Sequence, residues 1–162
     1  MRRTSFEADI CATARTLDVI GDWWSLLIIR DTLGGIRRFT ELQRHLGAAK
    51  NILTSRLKAL VDHGILDIVP ASDGSAYYEY LPTEKGRALM PVLVALAQWG
   101  REHLFDAAEA CNVPVDSLRE KPLAKLKLVA EDGRELALAD VLVAPRDANA
   151  GTGPLGPPST MT

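Results

Sequence analysis

Cysteine is scarce in this chain: 162 residues hold two, Cys11 and Cys111. Two thiols so far apart are no disulfide scaffold and fit a reducing compartment, so a cytoplasmic setting is expected. Histidine is nearly as rare, and His45, His63 and His103 are too scattered to gather a metal ion. No P-loop, H-E-x-x-H or G-x-S-x-G pattern occurs. The commonest phosphate, zinc-hydrolase and serine-hydrolase chemistries are therefore set aside, and neither catalysis nor a cofactor is expected. No apolar run is long enough to span a bilayer, and neither a signal peptide nor a membrane partner is expected. One nucleotide-binding signature is present by letter alone, as Gly151-Thr-Gly-Pro-Leu-Gly156. No strand leads into it, and Pro157-Pro158 forbids the helix that would receive a pyrophosphate. The net charge of -2, with 47% hydrophobic and 25% charged residues, excludes a general polycation. It fits a soluble chain able to bury one proper core.

What the chain does have is concentrated between Ile36 and Leu66. Phe39, Leu42 and Leu46 fall on one face of a helical period, and Gly47-Ala48-Ala49 breaks the pattern with small residues. Leu53, Leu57, Leu60 and Val61 then share one face of a second helix, while Asn51, Ser55, Lys58 and Asp62 point the other way with Thr54 on their flank. His63-Gly64 ends it, glycine being the usual residue past a helix C-terminus and His63 a partner for the terminal dipole. Two short helices about a tight turn make a helix-turn-helix, whose second helix would enter a DNA major groove. The stretch carries Arg37, Arg38, Arg44, Lys50, Arg56 and Lys58 against Glu41 and Asp62, a net +4 where phosphates would lie.

A short β-favouring run from Ile65 to Val69, a turn-rich loop Pro70 to Ser75 and an aromatic strand Ala76 to Leu81 follow. Helix, turn, helix and β-hairpin is the order of a winged helix. At this point the chain resembles the HxlR-type winged-helix transcriptional regulators, relatives of the MarR type. The resemblance runs through Cys11-Ala12-Thr13-Ala14-Arg15, then Ile20-Gly21-Asp22-Trp23-Trp24-Ser25-Leu26-Leu27-Ile28, then Arg37-Arg38-Phe39. It continues through Leu53-Thr54-Ser55-Arg56-Leu57, Gly64-Ile65-Leu66, Tyr80 and Thr83-Glu84-Lys85-Gly86-Arg87, covering roughly residues 8 to 105. It implies a mainly α fold with a small β-hairpin wing, and a homodimer bound to double-stranded DNA.

Two departures from the resembled family stand out. Many members cap the recognition helix with a serine where this chain has Ala49, and Lys50 opposes the helix dipole unless a phosphate sits there. Family wings usually carry an arginine, whereas Pro70 to Ala76 has no base and one acid, Asp73. That puts minor-groove insertion by this wing in question.

The remaining elements follow in order. Met1 to Ile10 reads as a flexible arm. A helix from about Ala12 to Ile20 turns Ala14, Leu17 and Ile20 inward. Asp22 caps a helix from Trp23 to Leu33 whose Trp24, Leu27 and Ile28 face the core. The Trp23-Trp24 pair either lines an effector pocket or packs on that core. Thr83 caps a long helix from Glu84 to Phe105, bent near its start by Pro91. Its stripe of Leu89, Leu93 and Leu96 is expected to pair with a second subunit. Beyond residue 105, Lys125 to Val129 and Glu135 to Ala139 alternate about Glu131-Asp132-Gly133, a hairpin with Asp140 to Val143 extending its second strand. The expected plan is therefore a DNA-binding and dimerisation domain over 1–105, a small extension over 106–145 and a disordered tail over 146–162.

Roles follow from these faces. Asn51, Ser55 and Lys58 are expected to read base edges or nearby phosphates, and Thr54 a phosphate or a thymine methyl. Arg37, Arg38, Thr40, Gln43 and Arg44 are expected to flank the groove and hold the backbone, with Lys50 in the first turn. Arg56 lies beside the apolar stripe and is expected to pair with a carboxylate. Cys11 opens a helix, with Arg15 one turn along and Asp9 opposing, and the resemblance aligns it with the position that thiol-sensing members use. It is either a redox sensor, with Cys111 its only partner in the chain, or a small hydrophobe at the dimer interface. The alternative to a DNA-binding regulator is a thiol- or ligand-responsive interaction module of the same fold.

Overall fold

Side-chain caps mark where two of the helices begin, at Asp22 and Thr83. The computed structural model describes residues 5–143, so the expected disordered tail and the first four residues of the arm lie outside the described residues. The described part of the arm is tied down: Ser5 Oγ and the Phe6 N–H both donate to Asp18 Oδ2, at 2.8 and 3.0 Å. Six helices follow among the described residues: α1 (Ala12–Ile20), α2 (Trp23–Leu33), α3 (Phe39–Leu46), α4 (Lys50–Asp62), α5 (Glu84–Arg87) and α6 (Met90–Leu104). Between α4 and α5 lie β1 (Leu66–Pro70) and β2 (Tyr78–Pro82), and further on β3 (Leu128–Val129) and β4 (Glu135–Leu136). The chain divides into one unit reaching Ala124 and a second from Lys125.

The first unit is built on α2. Its Asp22 caps it as expected, accepting from Ser25 N–H at 3.0 Å. The helix is apolar on nearly every side, and Ile28 and Ile29 are both fully enclosed. Leu42 of α3, Leu53, Leu57 and Leu60 of α4, and Ile65 and Leu66 at the start of the hairpin close over it. Leu17 departs from expectation and is half exposed, so α1 buries only Ile20 fully. β1 and β2 pair antiparallel, with Leu66 opposite Pro82 and Ile68 opposite Tyr80. The chain just ahead of α3 runs beside them: Tyr80 N–H donates to Arg37 O at 2.8 Å. That bond fixes the wing against the start of the helix-turn-helix.

Between α3 and α4 the backbone turns through Gly47, in the left-handed region at φ 64°, where only glycine avoids a Cβ penalty. Ala49 then stands in the cap position of α4 with extended backbone and no side-chain bond, as the sequence implies.

The expected single helix from Glu84 to Phe105 is two helices. Thr83 Oγ1 accepts from Gly86 N–H at 3.0 Å and starts α5, but the helix stops after one turn at Ala88. Pro91 has no N–H to offer the carbonyl of Arg87 and its ring crowds that carbonyl, so α6 starts afresh at Met90. Gly86 is needed for a different reason: a Cβ there would lie 2.3 Å from Ile65 O, so α5 packs directly on the backbone entering β1. Leu89 and Leu93 pack against the core of their own chain and Val94 is buried, whereas Leu96 is exposed. Residues 106–124, expected in the extension, fall within the first unit, where Arg101 donates to Glu109 O at 2.8 Å.

In the second unit the expected hairpin forms but is short. Only Leu128 with Leu136 and Val129 with Glu135 pair, about a turn at Gly133 with φ 86°. The expected extension over Asp140 to Val143 is not strand. Asp140 Oδ2 accepts from Ala137 N–H at 3.1 Å and draws Leu138–Asp140 into a 3-10 turn that ends the pairing. Leu128 and Val129 stay about half exposed, and two isolated strands gain little from each other in water.

Two substitutions should move stability in opposite directions. Gly86→Ala forces its methyl against Ile65 O and should cost about 1–3 kcal/mol. Ala49→Ser supplies the missing cap of α4 and should add about 0.5–2 kcal/mol. Urea unfolding midpoints of the two variants beside the parent chain check both.

Candidate nucleic-acid interface

The leucine row that seats α4 also decides which of its residues look outward. With Leu53, Leu57 and Leu60 inward, a period of 3.6 leaves Lys50, Asn51, Thr54, Ser55 and Lys58 exposed. α3 adds Thr40 and Arg44 as exposed residues and Gln43 as a half-buried one. The structure thus brings eight of the ten expected DNA-contacting residues onto these two helices, and their chemical states differ. Arg44 and Lys50 make no ion pair among the described residues, and Asn51 and Ser55 leave their side chains open to solvent. Thr54 Oγ1 donates to Lys50 O at 2.8 Å, and Lys58 Nζ lies 2.5 Å from Asp62 Oδ2 one turn on.

Arg37 and Arg38 are different. Arg38 stands at the cap of α3, its N–H donating to Glu41 Oε2 at 3.4 Å. Its guanidinium donates to Asp73 Oδ2 in the wing loop at 2.5 Å and lies 3.7 Å from Glu79 Oε1. Arg37 lies 3.9 Å from the other oxygen of Glu79. Glu79 is an inward residue of β2 that also accepts from Ser72 N–H and Oγ, at 3.3 and 3.1 Å. Hydrogen bonding from Ser75, then from the Arg38 guanidinium, holds the Asp73 carboxyl well below the usual carboxylate range. The Asp73 hydrogen bond in turn raises the Arg38 guanidinium above its ordinary value. The wing loop, with no base of its own, is thus neutralised from α3.

Arg56 behaves as its position on the helix implies. It lies 3.2 Å from Asp22 Oδ1 and ties α4 to the cap of α2. Sequence reading missed a second buried acid, Asp31, at the end of α2. Its carboxylate lies 2.7 Å from His45 Nδ1 of α3 and accepts from Arg30 Nε at 2.8 Å. The one available signal was an acid closing an otherwise apolar helix. Beside it, Gly35, Ile36, Glu41, Arg44 and His45 line an open hollow. Trp24 packs on the core, and exposed Trp23 leans on it with ring centroids 4.8 Å apart.

The two thiols occupy unlike settings. Cys11 is exposed at the head of α1, its N–H donating to Asp9 Oδ1 at 2.8 Å, while the Arg15 side chain turns to Asp9 O. Cys111 is half-buried, with an Arg101 nitrogen 3.3 Å from its sulfur. The residues expected at a subunit interface divide: Leu89 and Leu93 lean on their own core, and Leu96 shares an exposed apolar face of α6 with Val92 and Trp99.

The chain is similar to several known proteins. An uncharacterized HTH-type transcriptional regulator of Mycobacterium tuberculosis is 44% identical over 93 residues, which are 57% of this chain and 59% of that protein. The matched part therefore spans less than two thirds of that relative. The crystal structure of PA1607, described as a candidate transcription factor, superimposes with a TM-score of 0.82 at 47% identity, over 88% of this chain and all of that one. The redox regulator HypR in its oxidized form matches at 31% identity and a TM-score of 0.53, over 57% of this chain and 97% of its own. No helix among the described residues is long and apolar enough to cross a membrane. The model of the HxlR-like helix-turn-helix matches residues 19–107, more than half of the chain, and the protein belongs to that family of winged helix-turn-helix transcriptional regulators.

Proposed function

We propose that this chain is a sequence-specific DNA-binding regulator that acts in the cytoplasm as a homodimer on a palindromic operator. The observation that carries the reading is the outer face of α4, where Lys50, Asn51 and Ser55 stand exposed opposite the buried leucines. Asn51 and Ser55 can offer donors and acceptors to base edges in a major groove. Arg44 and Lys50, which make no ion pair among the described residues, are the cations best placed to hold phosphates, with Thr40 and Gln43 beside them. A phosphate at Lys50 would also meet the uncapped first turn of α4, so the missing cap and the first-turn base become one anion site. Thr54 and Lys58 would exchange Lys50 O and Asp62 for DNA.

Pairing with a second copy is supported by the exposed apolar face of α6 at Val92, Leu96 and Trp99, together with exposed Leu17 on α1. Leu89 and Leu93 hold α6 to its own core, which leaves Leu96 as the central interface residue. Two recognition helices would then read half-sites about 34–36 Å apart.

A redox response is a second reading, favoured by the exposure of Cys11 and by the likeness to HypR. Peroxide would oxidise the Cys11 thiolate to a sulfenic acid, open to condensation with another thiol, and the relative angle of the two subunits would change.

Binding to a selected operator across a salt series tests the reading. Arg44→Ala and Lys50→Ala should each lower the salt slope by about 0.9 per subunit, while Asn51→Ala should relax sequence choice by roughly 1–3 kcal/mol. Parent-like binding by all three would place the interface elsewhere. A parent chain that shifts no duplex at low salt would instead be a thiol- or ligand-responsive interaction module. Leu96→Glu should elute as a folded monomer with weakened operator binding, and a dimeric Leu96→Glu chain refutes the interface. Equal affinity before and after mild peroxide, in the parent and in Cys11→Ser, removes the redox reading.

A further inference from the structure

The wing of this chain should repel DNA, because its loop offers a carboxylate and no base. The structure places the compensating charge on another element. Asp73 lies 35 residues from Arg38 in sequence, yet the Arg38 guanidinium donates to it directly and faces the buried Glu79 on the same side. Glu79 in turn holds the loop through both the N–H and the hydroxyl of Ser72. The Tyr80 to Arg37 backbone bond sets the strap that carries Arg38 alongside β2. Arg38 therefore bridges two carboxylates whose backbones belong to the wing, and its side chain is only about a third exposed. A guanidinium that engaged a phosphate would leave Glu79 with less compensation in a buried site, which is costly.

We propose that Arg38 is a wing-positioning residue and not a phosphate ligand: it locks the loop Pro70 to Ala76 against the N-terminus of α3 and cancels Asp73, so that an otherwise acidic wing can lie beside DNA. The proposal rests on the DNA-binding reading for its consequence and stands independently of it for the lock. It predicts that Arg38 and Asp73 act as one unit. Removing the arginine leaves an uncompensated carboxylate at the wing tip, and removing both leaves a neutral loop.

The experiment is a double-mutant cycle on the full chain, with Arg38→Ala, Asp73→Asn and the pair, each titrated against operator duplex at several salt concentrations. Amide hydrogen exchange over residues 71–77 is followed in parallel without DNA. Arg38→Ala should weaken binding roughly tenfold, the size that one charge-assisted hydrogen bond sets, with its salt slope unchanged. In the Asp73→Asn background the same substitution should cost much less, and amides of the loop should exchange faster once Arg38 is gone. Arg38→Lys should restore binding only in part, since an ammonium cannot fork between two carboxylates. A salt slope reduced by about 0.9 per subunit in Arg38→Ala, with an equal or larger cost in the Asp73→Asn background, would make Arg38 a phosphate ligand and overturn the proposal. If the parent chain binds no duplex, the DNA-binding reading fails by itself. Exchange then decides the lock alone: loop amides unmoved by Arg38→Ala refute it, and faster ones support it.

Discussion

The seating of Leu53, Leu57 and Leu60 on α2 is the contact on which the rest of the fold depends. These side chains are almost entirely out of water, and they meet Ile28, Ile29 and Leu42 in one cluster. Burial of a leucine is worth about 1.5–3 kcal/mol, so three in a row dominate the stability of a small helical unit. The same contact has a geometric effect. Once those three positions are inward, the rotation of α4 about its axis is fixed, and with it the direction of Asn51 and Ser55. Stability and the outward chemistry of the helix are set by the same packing event.

Around that hydrophobic centre, carboxylates on one element are held by arginine or histidine side chains on another. Asp22 meets Arg56, Asp31 meets His45, and Glu79 with Asp73 meets Arg37 and Arg38. Each pair joins elements separated in sequence: α2 to α4, α2 to α3, and the wing to the start of α3. Exposed ion pairs contribute little energy, but Asp31 and Glu79 are buried and need their partners. The net +4 of the helix-turn-helix stretch is therefore unevenly available. Part of it is committed within the molecule, and Arg44 and Lys50 remain without an ion pair among the described residues.

Much of this was legible in the sequence because it is local. Gly21-Asp22 and Gly34-Gly35 punctuate α1 and α2 where the helices end, Thr83 caps α5, and the period-3.6 leucines fix α4. The direction of Arg56 could also be read, since its angle on the helix points it toward the core side. The ion-pair partners of Arg37 and Arg38 could not be read, because they lie in a hairpin that sequence spacing does not bring close. Period alone puts Leu17 inward on α1 and Leu89, Leu93 and Leu96 on one stripe of α6, whereas the first unit uses Leu89 and Leu93 itself and leaves Leu17 and Leu96 exposed. Pro91 signalled a bend. The structure divides the helix there, since Pro91 has no N–H for the carbonyl of Arg87 and its ring crowds that carbonyl.

The interruption at Ala88 and Leu89 has a mechanical consequence. A continuous helix would transmit any rotation of α6 rigidly into β1 and α4 through its hydrogen-bond ladder. Here the regular ladder is interrupted: Leu89 N–H reaches back to Gly86 O at 3.1 Å, Leu93 N–H to Leu89 O opens α6, and side-chain packing at Leu89 and Leu93 holds α6 to the core. Packing yields by rotamer adjustment where a ladder would resist. Within the first unit, the pitch of α6 against α5 can thus adjust at Ala88 and Leu89 by repacking, where an unbroken helix could not.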